Sequence, residues 1–237
     1  MLDVTAVVLC GGKGERLRPF TDAVPKPLVT LNGIPLLEHL LRYLRASGVE
    51  KFVLCVGYKA EAIEEFAKQT SSANEIICVD SGDAVMTDRI LDARKHVPGR
   101  ALVCYGDTLA NVDLAELLRF HTEHNAAATL TVYPMHSPFG VVEVCETGEV
   151  GAFQEKPRLP YWINIGYLLC EPRALDQMQR GTGIPEFLST LKDQGSLFAY
   201  THTGRHLTVN TEKERQLAET EVTEFYTVTD PQPITRR

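Results

Sequence analysis

Three glycines within four residues, Gly11, Gly12 and Gly14, follow an apolar run in V-V-L-C-G-G-K-G-E-R-L-R-P-F-T-D-A-V-P-K-P-L, residues 7–28; Arg16, Arg18 and Lys26, the last between two prolines, come after them. Glycine has no side chain to block contact and tolerates positive φ, so such a loop can approach a ligand closely and turn its backbone N–H groups onto an anion. The three cations can neutralise what those amides hold, and the combination suits a triphosphate. Two familiar phosphate loops do not fit. A Walker loop needs Gly-Lys followed by Ser or Thr, whereas Gly12-Lys13 is followed by Gly14 and Glu15; a dinucleotide fingerprint begun at Gly12 would place its third glycine on Leu17. The bland reading of the glycines alone is a turn carrying solvated charges.

The elements that must position this loop are legible as alternating patterns. Short β-branched runs recur as V-T-A-V-V-L-C, K-F-V-L-C-V, E-I-I-C-V, A-L-V-C-Y and A-T-L-T-V-Y. Between several of them lie segments of helical spacing, such as Leu36, Leu37, Leu40, Leu41 and Leu44, or Leu114, Leu117, Leu118 and His121. Strand and helix in alternation predict an α/β fold: a Rossmann-like, doubly wound, mostly parallel sheet covered on both faces. In such a sheet ligands sit at the carboxyl ends of strands, which is where the glycine loop lies. The second half loosens into V-V-E-V-C, W-I-N-I-G-Y-L-L-C, a helical piece over residues 185–192 and a short strand over 197–200, and reads as an antiparallel extension carrying the second substrate. Residues 1–219 are expected to form a single domain. Residues 220–237 lose helical periodicity and end in prolines, so they read as a tail, frayed or packed on a partner through Val222, Phe225, Tyr226 and Val228, with a homo-oligomer as one outcome.

G-G-K-G-E-R-L-R-P-F-T followed by P-K-P-L resembles the signature of the sugar-phosphate nucleotidyltransferases, and the likeness continues in order through Y-G-D at 105–107, F-G at 139–140, F-Q-E-K-P-R at 153–158 and W-I-N-I-G at 162–166. The pattern is closest to glucose-1-phosphate cytidylyltransferases. The resemblance implies that Leu9, Gly11, Gly12, Gly14, Arg16 and Gly106 bind the nucleotide, with Arg16 on the β- and γ-phosphates and Lys26 near the reacting centre. It implies Arg16, Lys26 and Asp107 as the catalytic set, Asp107 holding Mg2+, and Gly140, Glu155, Lys156 and Asn164 as the acceptor site, with Lys156 on the acceptor phosphate. A lone strand-end aspartate is chemically sufficient, because Mg2+ takes one or two carboxylates and fills its shell with water and substrate phosphates. The plain alternative for Asp107 is a turn or cap aspartate.

Members that use UTP or dTTP usually carry an L-G-T-A-G-like turn, which this chain lacks; D-S-G-D-A-V-M-T-D-R-I-L-D-A-R, residues 80–94, resembles the T-G-G-R-L region of the cytidylyltransferases. CTP is therefore the first choice of nucleoside triphosphate and a sugar phosphate the acceptor. Arg89 would sit where it can reach the cytosine carbonyl, though Thr87 and Asp88 replace smaller residues; read as a plain helix-face arginine it would be solvated. Where the family commonly has a second metal-binding aspartate, L-T-V-N-T-E places Asn210, an amide that can coordinate Mg2+ without adding charge. That departure keeps open a non-catalytic relative acting as a scaffold or sensor. A molybdopterin-type guanylyltransferase shares the glycine loop but leaves E-K-P-R and W-I-N-I-G unexplained. Phe139, Tyr161 and Trp162 could offer a flat wall to a sugar, or could be core.

Composition sets the outer limits. At 237 residues, with a net charge of -7, the surface as a whole does not attract nucleic acid or anionic lipid, so a polyanion must meet a local cluster of cations. No leader pattern and no apolar run long enough for a membrane span is present, so a cytoplasmic protein without a membrane or nucleic-acid partner is expected. The six cysteines (Cys10, Cys55, Cys78, Cys104, Cys145 and Cys170) are spread over separate segments with no C-x-x-C pair, and read as small buried hydrophobes.

Overall fold

The computed structural model describes residues 2–70 and 75–227. Strand β1 (Thr5–Leu9) runs into the glycine loop, which leads through the single turn α1 (Phe20–Ala23) and the short hairpin β2 (Thr30–Leu31) and β3 (Ile34–Pro35) to helix α2 (Leu36–Ala46). Then follow β4 (Lys51–Val56), α3 (Ala60–Thr70), β5 (Glu75–Asp80), α4 (Met86–Ala93), β6 (Ala101–Tyr105), β7 (Thr108–Ala110), α5 (Leu114–Glu123) and β8 (Ala128–His136). The second half holds β9 (Val141–Val144), β10 (Val150–Gln154), β11 (Arg158–Cys170), α6 (Pro172–Leu175), α7 (Ile184–Asp193), β12 (Leu197–Thr201), β13 (His206–Thr208) and α8 (Glu212–Thr227).

Seven strands form one sheet in the order β12-β8-β11-β6-β1-β4-β5. β1 pairs in parallel with both β4 and β6, and β4 with β5, while β11 is antiparallel to β6 and β8. The chain steps from β1 outward to β4 and β5, then returns to place β6 on the other side of β1. A crevice must open between the loops that leave β1 and β6 in opposite directions. The antiparallel extension expected for the second half is β11 together with the hairpin β9–β10, which pairs only with itself.

Period-two alternation in β1 fills two cores. Ala6 and Val8 face one, with Leu37, Leu40, Leu41 and Leu44 of α2, while Val7 faces the other, with Ile90 of α4 and Phe187 of α7. The apolar positions of α2 recur along one stripe and are essentially fully buried. Each such leucine contributes roughly 1.5–3 kcal/mol by burial, which holds the first crossover, and with it the glycine loop, against the sheet. Asp113 caps α5 by accepting from the Glu116 amide at 3.0 Å.

The segment after Thr220 departs from the expected tail. It continues α8 as far as Thr227, and Val222 and Phe225 are buried in this chain's own core, with Phe225 edge-on to Tyr43 at 5.7 Å between ring centres. Ala218, Val222 and Phe225 are spaced four and three residues apart, so they lie on one face of the helix. Val228 and the rest of the expected arm lie outside the described residues. Cys145 is also a correction: it lies exposed in the β9–β10 hairpin, whereas Cys10, Cys55, Cys104 and Cys170 are buried. Burial raises the buried thiols, Cys55 to about 12, which keeps them as apolar filling.

Candidate functional site

The crevice predicted by the strand order is a cavity of about 1110 Å3 at the carboxyl ends of β1, β5 and β6. Its wall includes Leu9, Gly11, Gly12, Gly14, Arg16, Lys26, Arg89, Asp107, Asn164 and Asn210, so the structure gathers most of the residues singled out from sequence around one space. Gly14 has φ of 63°, a left-handed conformation that L side chains rarely adopt, and a Cβ there would stand 2.9 Å from both Lys26 Cβ and Thr21 Cγ2. Gly12 is exposed, and an added Cβ would meet nothing within 4 Å. The loop therefore presents open backbone on one side and packs on the Lys26 turn on the other.

Two prolines set the Lys26 turn. Pro25 is extended and caps a tight helical turn, Lys26–Leu28, that holds Pro27 at its second position, so the lysine stem runs inward instead of out to water. Its side chain is only 11% exposed, and Nζ donates to Asp107 Oδ2 at 2.5 Å and to Asn210 Oδ1 at 2.8 Å. Arg16 Nη2 donates to the same Asn210 oxygen at 3.0 Å. Asp107, just past β6, and Asn210, just past β13, thus hold two cations from the glycine-loop segment. With an amide at 210 the quartet stays net cationic, which favours polyanion binding.

That arrangement also tests the metal expectation. Among the described residues no group of three or more His, Cys, Asp or Glu could hold a metal ion. Asp107 fits a Mg2+ whose shell is mostly water and substrate phosphate, because one carboxylate is enough for that. The Asn210 oxygen already accepts from both Arg16 and Lys26, so it fits a ligand role less well than a role in placing those cations.

Other expected residues lie elsewhere. Gly106 sits behind the loop: its N–H donates to Leu9 O at 3.1 Å, and a Cβ would stand 2.9 Å from that oxygen. Gly140, Glu155 and Lys156 are not part of the cavity wall; they lie at the base of the β9–β10 hairpin, where Glu155 and Lys156 are exposed. The hairpin makes no ladder with the main sheet, so nothing in strand pairing draws it over the cleft. Phe139, Tyr161 and Trp162 are likewise exposed and off the cavity, with Arg158 stacked over the Trp162 ring at 5.1 Å. Arg89 is not a solvated helix-face arginine: it is 5% exposed, with its guanidinium among backbone carbonyls.

The wall also contains Asp83, Ala84, Val85 and Met86 at the start of α4, inside the stretch likened to the T-G-G-R-L region, and residues that sequence reasoning passed over: Gly183, Ile184 and Pro185 at the start of α7, and His206 and Thr208 on β13. The α4 and α7 groups are tied together. Thr87 Oγ1 donates to Thr182 O, and the Gly181 N–H donates to Asp88 Oδ1 at 2.7 Å, which gives Thr87 and Asp88 their place. Among the α7 and β13 residues only the G-I-P-E start of a helix offers a usable signal. Burial, with the His202 charge adding to it, pushes His206 down to about 4, so its ring is neutral at pH 7.

Residues 5–194 match the family described as Nucleotidyl transferase. The chain belongs to the sugar-phosphate nucleotidyltransferases. It is 32% identical over 228 residues to the glucose-1-phosphate cytidylyltransferase of Salmonella typhi, covering 84% of this chain and 88% of that one. It is 37% identical over 185 residues to a mannose-1-phosphate guanylyltransferase of Mycobacterium tuberculosis, covering 75% of this chain and 52% of that one. Among solved structures, HddC from Yersinia pseudotuberculosis complexed with GMP-PN is similar with a TM-score of 0.73 and 19% identity, over 92% of this chain and 98% of that one. This last likeness speaks to the nucleotidyltransferase fold. Relatives named for different bases match comparable stretches, so family membership leaves the base open. None of the described helices is long and apolar enough to cross a membrane.

Proposed function

We propose that this nucleotidyltransferase transfers a nucleotidyl group from CTP to a sugar 1-phosphate and releases pyrophosphate. The observation that carries the reading is the convergence of the glycine loop, Arg16, Lys26 and Asp107 on one cavity. The nucleophile would be an acceptor phosphate oxygen attacking the α-phosphorus in line. It is already an anion, so no general base and no covalent enzyme intermediate is needed, and the barrier lies in bringing two anions together. Loop amides, Arg16 and Lys26 supply positive potential where charge develops, in positions fixed before the substrate arrives. A Mg2+ on Asp107 would screen the phosphates. Glu155, Lys156 and Gly140 are assigned to the acceptor on resemblance alone, with Asn164 as the member that reaches the cavity. CTP is favoured by the match to 88% of the cytidylyltransferase relative's own length against 52% of the guanylyltransferase's, and by the absence of an L-G-T-A-G-like turn.

The test is pyrophosphate release with each nucleoside triphosphate, Mg2+ and a panel of sugar phosphates. Release that requires both substrates and is fastest with CTP is expected; no release with any pair would overturn the reading. Asn210 in place of a carboxylate favours a second reading, a relative that binds nucleotide and sugar without turnover, and calorimetric CTP binding with no pyrophosphate would select it.

A further inference from the structure

Arg89 enters the nucleotide side of the cleft from α4, yet its donors are spent on the protein. Nε donates to Ala84 O at 3.1 Å, Nη1 to Val56 O at 2.6 Å, and Nη2 to Gly82 O at 2.8 Å and Gly11 O at 3.3 Å. Four of the five N–H groups of a guanidinium are thereby used. The acceptors belong to the segments that leave the carboxyl ends of three neighbouring parallel strands: the glycine loop after β1, the end of β4, and residues 81–85 after β5.

The packing is as specific as the bonding. A Cβ on Gly11 would lie 1.9 Å from Arg89 Nη1 and 2.3 Å from Cζ, and one on Gly57 would lie 2.5 Å from Nη1. Gly11 is therefore glycine because a guanidinium lies against its Cα, a reason distinct from the open face at Gly12. No carboxylate pairs with Arg89 among the described residues. Its charge is held by carbonyl dipoles and adds to the positive potential of a pocket meant for a polyanion.

We propose that Arg89 is a positioning residue that clamps the glycine loop and the 81–85 loop through their backbone carbonyls, setting the floor of the nucleotide pocket without reading the base. The inference rests on the nucleotidyltransferase reading for its kinetic test and stands apart from it in a second, ligand-free one.

A residue that reads a base edge matters differently to different bases, whereas a residue that shapes the floor matters to all of them alike. Arg89→Met and Arg89→Lys are each expected to raise the KM of every accepted nucleoside triphosphate by a common factor of about tenfold or more, leaving base preference and acceptor KM within about twofold of wild type. A change in base preference, or an unchanged nucleotide KM, would overturn the proposal. The steric half is tested by Gly11→Ala, which should harm nucleotide binding strongly in the wild-type background and far less in an Arg89→Ala background; equal effects in the two would count against it. If the wild-type chain releases no pyrophosphate, the functional reading fails by itself, and amide hydrogen exchange still decides the clamp. Faster exchange confined to residues 11–14 and 81–85 in Arg89→Lys supports it, and wild-type protection there overturns it.

Discussion

Four side chains that sequence scatters over almost the whole chain, Arg16, Lys26, Asp107 and Asn210, meet at one end of the cleft, and their charges decide what that end can hold. The Arg16–Asn210 bond spans 194 residues of sequence, so no local pattern could reveal it. Arg16, Lys26 and Asp107 could be named from residue type and resemblance, but that Asn210 serves two cations could not. An aspartate there would set a second carboxylate beside Lys26. Asn210→Asp is expected to lower the Mg2+ concentration for half-maximal turnover by roughly three- to tenfold, since a second carboxylate strengthens a hard-cation site. It should also raise nucleotide KM as the cluster loses positive charge. An unchanged Mg2+ dependence in a metal titration of turnover would confine Asn210 to holding Arg16 and Lys26. The glycines show the same limit at this scale. Their clustering announced an anion loop, yet the separate reasons for Gly11, Gly14 and Gly106 lie in Arg89, the Lys26 turn and the Leu9 carbonyl, all distant in sequence or set by tertiary packing.

At the scale of elements, periodicity was readable wherever burial is two-sided or broad. β1, β4 and β6 are apolar runs because both faces are covered, and α2 shows its leucines because its buried stripe is wide. The end of α8 gives no such signal because its buried stripe is one residue wide, Ala218, Val222 and Phe225, amid Glu, Thr and Gln. V-V-E-V-C marks β9 in the sequence, but neither β10 nor a hairpin that pairs only with itself is readable there, since register and partners are tertiary facts. Because α8 closes the core over Tyr43, Phe225→Ala should cost about 3–5 kcal/mol and lower the melting temperature by on the order of 10 °C. A shift of only a degree or two in a thermal scan would return residues 220–227 to the status of a loose arm.

For the whole molecule, a surface of net negative charge surrounds a cationic cleft, so any polyanion must be drawn in locally. The fold also carries a pH signature away from the chemistry. Burial lowers His39, His121, His202 and His206 below the ordinary 6.5, His206 to about 4. The unfolded chain therefore binds more protons than the folded one between those values, and stability is full above about pH 6.5 and lost as pH falls toward 4. The melting temperature should drop by several degrees across that window, and His206→Gln should flatten the slope; a melting temperature constant from pH 7 to 4.5 would contradict the burial of these rings.

The central claim is attack by the acceptor phosphate on the α-phosphorus of the nucleotide, and an isotope experiment tests it most directly. With a sugar 1-phosphate carrying 18O in its three terminal phosphate oxygens, mass spectrometry should find all three labels in the nucleotide sugar and none in the pyrophosphate. Loss of a label from the nucleotide sugar, or its appearance in pyrophosphate, would show that a different bond is made and broken.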